Sequence, residues 1–178
     1  QGIPAIGHGT IFLMKPGAGS GIGRYKILMA FLSRQLYIRK SSIPNAGKGL
    51  FTRRKIEKGA RIVEYKGKKT TWKEVDHRNW TNAYIFYIDR NRVVDAATYK
   101  KALGRYANDA MGAGRKKGLR NNAEYVAEGD RVFIDATRDI PAGAEILVDY
   151  GKEYWEVIRH NQRVSKQDKQ KKPKRSAQ

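Results

Sequence analysis

The chain contains no cysteine, and its three histidines (His8, His77 and His160) stand at no metal-ligand or nucleophile–base spacing. That removes disulfides, thiol nucleophiles and cysteine-ligated zinc, and leaves tyrosines, carboxylates and amides as the reactive groups. They gather in two stretches. In "GRYANDAMGAGRKKGLRNNAEY" (104–125), Asn108–Asp109 and Asn121–Asn122 stand at the two ends of a glycine-rich, basic connector. In "EILVDYGKEYW" (145–155), Tyr150 falls at the end of an aliphatic run and directly before Gly151. Asparagine is an ordinary turn residue, so two plain loops would account for the first stretch. β-Core packing accounts for most of the 10 tyrosines. Tyr150 departs from that pattern, because a following glycine frees the backbone to present the hydroxyl to a cleft.

These groups need a scaffold, and from Leu36 onward the texture is β-type. "LYIRKS", "GLFTRR", "ARIVEYKG", "AYIFYID", "RVVDA", "YVAEG", "RVFIDA" and "EILVDYG" are short runs rich in Val, Ile, Tyr or Phe, separated by glycine turns. "TTWKEVDHRN" and "YKKALGRYAND" are the short-helix candidates, the first opened by a threonine cap. Many short strands with few helices predict a β-rich α+β domain rather than a doubly wound sheet. One device occurs twice: "RKIEKGARIVEY" and "RDIPAGAEILVDY" both read Arg-x-Ile-x-x-Gly-Ala-x-Ile, then an aliphatic run and a tyrosine. Each predicts a tight turn, at Gly59 or Gly143, feeding a strand that ends near Tyr65 or Tyr150. Two copies are too few for a solenoid. The "GAGSGIG" stretch follows no clear strand, opens no convincing helix and has no acidic residue ~20 positions on, so it is a weak match to a dinucleotide-binding loop.

The formal charge of +20 and pI near 10.2 point to an acidic partner (nucleic acid, a nucleosome-like surface or an anionic membrane), with solubility alone as the alternative. No apolar run approaches the roughly 18–20 residues that span a bilayer. The nearest, "YKILMAFLSRQLYI", is short and flanked by Lys26 and Arg34, and reads as a short docking helix or part of a targeting segment. Residues 1–35 form a basic, glycine-rich extension without an acidic side chain. Residues 159–178 are polar, lack aromatics and predict a disordered basic tail, either a solvated terminus or a segment for phosphate contact or nuclear localisation.

Taken together, "NAGKGLFTRRKIEKGARIVEYKG", "GRYANDA", "NNAEY" and "RDIPAGAEILVDYGKEYW" occur in the order and spacing of the SET-domain protein-lysine methyltransferases, and residues 36–158 resemble that family. The compact form, with no cysteine-rich segment after the last motif, is most similar to the small stand-alone viral and microbial SET proteins. The resemblance implies a fold of short strands in small sheets with a knot-like C-terminal threading. It also implies S-adenosyl-L-methionine as cofactor and a lysine ε-amine as methyl acceptor, on a histone or another basic protein tail. By the same resemblance Gly47, Lys48 and Gly49 hold the methionine end of the cofactor. Asn108 fixes its adenosyl part with Asp109 beside it, Arg105 serves the cofactor motif or a structural salt bridge, and Trp155 packs on the adenine face. Asn122 is a structural pin of the threaded crossing. Tyr150 is the central catalytic hydroxyl, also touching the cofactor, and Tyr84 walls the lysine channel. Tyr154 and Trp155 close the site. Where the family reads Asn-His-Ser, this chain reads Asn108-Asp109-Ala110, which places an extra carboxylate near a cationic cofactor. Val148, where relatives carry an aromatic that limits product size, implies more than monomethylation. A protein substrate, nucleic-acid or nucleosome contact through the basic ends and no membrane partner are expected. The expected location is the nucleus or chromatin in a eukaryotic cell and the cytoplasm otherwise. The alternative from another class is a non-catalytic chromatin- or nucleic-acid-binding module on a SET scaffold.

Overall fold

The computed structural model describes residues 29–75, 82–111, 115–152, 154–156 and 158–159. The glycine-rich stretch before Met29 and the expected basic tail lie outside these residues. A short helix α1 (Met29–Gln35) leads straight into β1 (Leu36–Lys40), which pairs antiparallel with β2 (Lys48–Thr52). Then follow β3 (Arg61–Glu64), β4 (Lys68–Thr70), β5 (Ile85–Asp89), β6 (Arg92–Asp95), a 3-10 turn (Leu103–Tyr106), β7 (Ala123–Glu128) and β8 (Arg131–Ala136). They form two further antiparallel sheets, in the orders β3-β8-β7 and β4-β6-β5. The sequence therefore folds as the β-rich domain of small sheets that its patterning predicts.

Alternation decides which faces meet. Val132 and Ile134 on β8, Ile62 on β3, Leu50 on β2 and Phe86 on β5 are fully buried and share one core with Ile140 and Ile146. A buried guanidinium lies at the edge of this core. Arg61 is 7% exposed, yet it donates to both carboxylate oxygens of Asp135 at 3.0 Å and to Glu128 at 2.6 Å. Its guanidinium carbon also lies over the Phe133 ring, 4.1 Å from the centroid. Burying a charge this deeply is tolerated because its donors are matched.

The twice-used device pairs with itself. Ile56 and Ile140 exchange both backbone hydrogen bonds, at 2.9 and 2.8 Å. Gly59 (φ 82) and Gly143 (φ 79) each take the left-handed conformation that a side chain disfavours. After those turns the two copies diverge. The first becomes β3; the second, "EILVDYG", forms no ladder strand. Residues 145–148 instead run between two neighbours, with Leu147 bridged to Asn108 and Val148 bridged to Ala123, both parallel. The reason is chemical. The Asn122 side chain donates to the Glu145 carbonyl at 2.8 Å and accepts from the Leu147 amide at 2.9 Å, taking backbone bonds that a strand neighbour would otherwise take. This two-sided clamp fixes residues 145–147 from a single side chain.

One helix expectation needs correction, and another is described only at its start. "YKKALGRYAND" forms only the 3-10 turn, with no side-chain cap. Gly104 there packs so closely that a Cβ would stand 2.9 Å from the Glu64 carbonyl oxygen. That contact fixes the turn against the end of β3. In "TTWKEVDHRN", residues 72–75 form a turn with Glu74 accepting from Thr70 and Thr71, and residues 76–80 lie outside the described residues.

Candidate active site

Where the end of β3, the 3-10 turn, the 145–150 run and the 43–48 loop converge, they enclose a cavity of about 530 Å³. This is ordinary for a small-molecule site. Its two ends differ in chemistry, one built from backbone and amide, the other from aromatic rings.

At the first end, Ile43 to Lys48 and Asn108 line the wall. Gly47 has φ 71, and the loop closes with the Ser41 amide donating to the Gly47 carbonyl at 2.9 Å. The Asn108 side-chain amide donates to the Lys48 carbonyl at 3.0 Å and to Glu145 Oε1 at 3.1 Å. Glu145 is the anchor beneath. It is 5% exposed and accepts from Ser41 Oγ and the Ser42 amide, both at 2.7 Å, and from Ser42 Oγ. Gly49 is the residue that lets this carboxylate in, since a Cβ there would meet Glu145 Oε1 at 2.1 Å.

At the second end lie Tyr65, Tyr84, Tyr125, Tyr150, Tyr154 and Trp155. Tyr65 and Tyr125 meet edge to face with centroids 5.6 Å apart. Tyr150 meets Tyr154 the same way at 4.8 Å and stacks on Trp155 at 5.9 Å and 12°. The Tyr65 hydroxyl donates to the Tyr84 carbonyl at 2.9 Å, and the Tyr150 hydroxyl to the Ala107 carbonyl at 2.7 Å. Burial drives the phenols of Tyr65, Tyr125 and Tyr150 well above the usual tyrosine value, and that of Tyr154 up to about 12. All four therefore stay neutral hydroxyls at neutral pH.

Asp109 joins the two ends. It is 3% exposed and its carboxylate accepts four hydrogen bonds. Oδ1 takes the Met111 amide at 2.7 Å and Asn121 Nδ2 at 2.9 Å. Oδ2 takes the Tyr150 amide at 2.9 Å and the Trp155 indole at 2.7 Å. Asn121 in turn accepts from the Ala110 amide at 2.8 Å.

Of the residues singled out in the sequence, Gly47, Lys48, Tyr84, Arg105, Asn108, Asp109, Tyr150 and Trp155 all line the cavity. Gly49 does not; its place is against Glu145. Asn122 stays behind the wall as the clamp on 145–147. Arg105 makes no salt bridge among the described residues. Its guanidinium lies over the Tyr84 ring at 4.0 Å, and its buried Nε has no hydrogen-bond partner. The Trp155 ring is committed to Tyr150 on one face and to Asp109 through its N–H. Val148 is wholly buried in the core that includes Tyr65 and Tyr125, and is not part of the cavity lining. Sequence reasoning missed Glu145, Asn121, and Tyr65 and Tyr125 as cavity walls. The duplicated device carried the signal for Tyr65, which ends the first copy as Tyr150 ends the second. Among the described residues no cluster of His, Cys, Asp and Glu forms a metal site, and no helix is long and apolar enough to cross a membrane.

This geometry defines a β-rich domain whose amide-lined cleft opens onto an aromatic channel. The family model for the SET domain matches residues 47–151, and the chain belongs to the SET-domain family. It is 32% identical over 136 residues to histone-lysine N-methyltransferase trr of Drosophila melanogaster, covering 71% of this chain and 5% of that protein. It is 30% identical over 129 residues to histone-lysine N-methyltransferase ASHH3 of Arabidopsis thaliana (66% and 34%). To N-lysine methyltransferase KMT5A-A of Danio rerio it is 27% identical over 119 residues (61% and 33%). The chain thus spans between a twentieth and about a third of the length of these relatives.

Proposed function

We propose that this chain is an S-adenosyl-L-methionine-dependent protein-lysine N-methyltransferase acting on a histone or another basic protein tail, in association with chromatin. The observation that carries the reading is the joining of one cavity's two ends: a glycine–asparagine cleft, and a channel of neutral tyrosines around Tyr150. The named activities of the relatives, histone-lysine and N-lysine methyl transfer, support it.

The residues present fit such a cofactor. The 43–48 loop offers backbone groups beside a left-handed Gly47, Asn108 offers an amide, Arg105 offers an unmatched N–H, and Trp155 and Tyr154 offer ring surface. Gly47, Lys48, Asn108, Arg105 and Trp155 would hold it. When bound, S-adenosyl-L-methionine supplies an electrophilic methyl group. This chain's residues then have three tasks. The acceptor lysine must arrive neutral, against a pKa of ~10.4 in water; the buried rings of Tyr65 and Tyr125, with Tyr154 and the more exposed Tyr84 beside them, disfavour its charged form. Tyr150 spends its proton on the Ala107 carbonyl, so its oxygen lone pairs remain to accept an amine N–H. Its rigid seat, between Trp155 and Tyr154 and tied through its amide to Asp109, holds that oxygen in one position, and proximity supplies much of the rate.

Transfer of labelled methyl to histones, nucleosomes and a lysate, compared side by side, tests the reading. Incorporation into protein lysine, strongly reduced in Tyr150→Phe, is expected; intact S-adenosyl-L-methionine binding with no transfer to any of the three would overturn it. The exposed run Arg115, Lys116, Lys117 and Arg120 favours nucleic-acid contact as a second activity of the same surface. Calorimetry that finds no cofactor binding would leave that contact as the whole function.

A further inference from the structure

We infer that Asp109 is the positioning residue of this site: its carboxylate fastens the Tyr150 backbone and the Trp155 indole together as one wall of the cavity. The inference rests on the methyltransferase reading for its kinetic consequence and on geometry alone for the fastening itself.

The two carboxylate oxygens divide their work. Oδ1 is held by the Met111 amide and by Asn121, on the connector side. Oδ2 is held by the Tyr150 amide and by Trp155 Nε1, on the C-terminal side. With four donors on two oxygens and 3% exposure, the group has no freedom to turn toward solvent or a ligand. No Lys or Arg among the described residues pairs with it, so its charge is balanced by N–H dipoles alone. Such bonds to an ionised acceptor are short and strong.

The C-terminal side needs such a tie. Residues 154–156 and 158–159 are helical and form the outer wall of the cavity through Tyr154, Trp155 and Ile158. Among the described residues, the bond from Trp155 to Asp109 is the side-chain hydrogen bond that links this segment to the domain. The remaining attachment is ring packing on Tyr150. One carboxylate therefore sets both the seat of the Tyr150 oxygen and the angle of the wall opposite. The carboxylate that looks out of place in the sequence is a brace and not a ligand for the cofactor.

The test uses the full chain in three forms: wild type, Asp109→Asn and Trp155→Phe. An asparagine has one acceptor oxygen and one NH₂, so either of its rotamers faces two donors with a donor. Trp155→Phe keeps an aromatic ring on Tyr150 while removing the indole N–H together with part of the ring, which guards against a misfolded Asp109 variant. In a ¹H–¹⁵N spectrum, the indole resonance lost in Trp155→Phe identifies Trp155; Asp109→Asn should move it upfield and expose it to solvent exchange. KM for S-adenosyl-L-methionine should rise tenfold or more in Asp109→Asn and about threefold to tenfold in Trp155→Phe, and kcat should fall further in Asp109→Asn, which also frees the Tyr150 amide, than in Trp155→Phe. Asp109→Asn in a Trp155→Phe background should cost less than it does in wild type. An unmoved indole resonance, or a Trp155→Phe enzyme with wild-type KM, overturns the inference. A wild-type chain that transfers no methyl overturns the functional reading, and the indole resonance then decides the fastening by itself.

Discussion

Replacing Glu145 with glutamine changes one buried oxygen into an NH₂ and removes a charge, with almost no change in shape. The carboxylate accepts from Ser41 Oγ, the Ser42 amide, Ser42 Oγ and Asn108 Nδ2. Hydroxyls can rotate to accept from a new NH₂; a backbone N–H and a pinned amide cannot. If the NH₂ replaces Oε2 it opposes the Ser42 amide, and if it replaces Oε1 it opposes Asn108. Either way one buried donor is orphaned, at about 1–3 kcal/mol, and the remaining bonds lose charge assistance worth about 1 kcal/mol together. A loss of about 3 kcal/mol is expected, against a total stability of roughly 5–15 kcal/mol, so the protein still folds. At this chain length that lowers Tm by about 6–12 °C. The 41–49 loop and Asn108 share the lost partner, so S-adenosyl-L-methionine affinity should fall as well. Gly49→Ala reaches the same carboxylate from the opposite side, because its Cβ would stand 2.1 Å from Oε1. The two changes should therefore be less than additive in combination. Glu57→Gln, at a side chain 77% exposed, serves as control and should shift Tm by little. Melting curves and calorimetry read all four proteins. A Glu145→Gln protein that melts within about 2 °C of wild type with unchanged cofactor affinity would show that the carboxylate is not the anchor of the loop.

Tyr150→Phe removes a hydroxyl bonded to Ala107 and should cut methyl transfer by about a hundredfold at a stability cost near 1 kcal/mol; an unaffected rate would take Tyr150 out of its role. Acid should weaken the fold in a defined window. The hydrogen bond from Arg131 holds the Glu64 carboxyl below its ordinary value, and that from Arg61 does the same for Glu128. Folded values lower than the unfolded value of about 4.3 mean that the stabilisation is whole above that pH and is lost as pH falls below it. Glu64→Gln should flatten the fall in Tm below pH ~4.3, and an unchanged slope would remove Glu64 as a contributor.

The strands were legible because their cores alternate. "RVFIDA" reads as β8 and "AYIFYID" as β5, since one face of each must meet Leu50, Ile62 and Phe86. "EILVDYG" has the same composition, and there the pattern fails. Whether its backbone pairs in a ladder depends on Asn122, which stands 23 to 25 positions away and meets it only in three dimensions. The site divides along the same line. Gly47 could be found locally, because its backbone takes φ 71, whereas Asn108 and Asn122 could be found only from the order of the family motifs, since their partners lie 23 to 60 positions away. Glu145 could not, because its significance comes from Ser41 and Ser42, 103 to 104 positions earlier.

Asp109 shows what such distant pairings do to a motif. Seen in isolation, a carboxylate beside Asn108 threatens a cationic-cofactor site with either excess attraction or degeneracy. In the fold the question dissolves, because both oxygens are already filled by Met111, Asn121, Tyr150 and Trp155. Each partner is an N–H donor, and a carboxylate is the side chain with lone pairs enough for four of them in so small a volume. The sequence that departs at 109 also places Asn121 and Trp155 where the departure is useful: Asn121 fills one oxygen, and Trp155 couples the other to the wall of the cavity. Three residues spread over 47 positions thus form one device. A substitution at any one of them should be judged by the donors it leaves facing the other two, rather than by its distance from the reacting atoms.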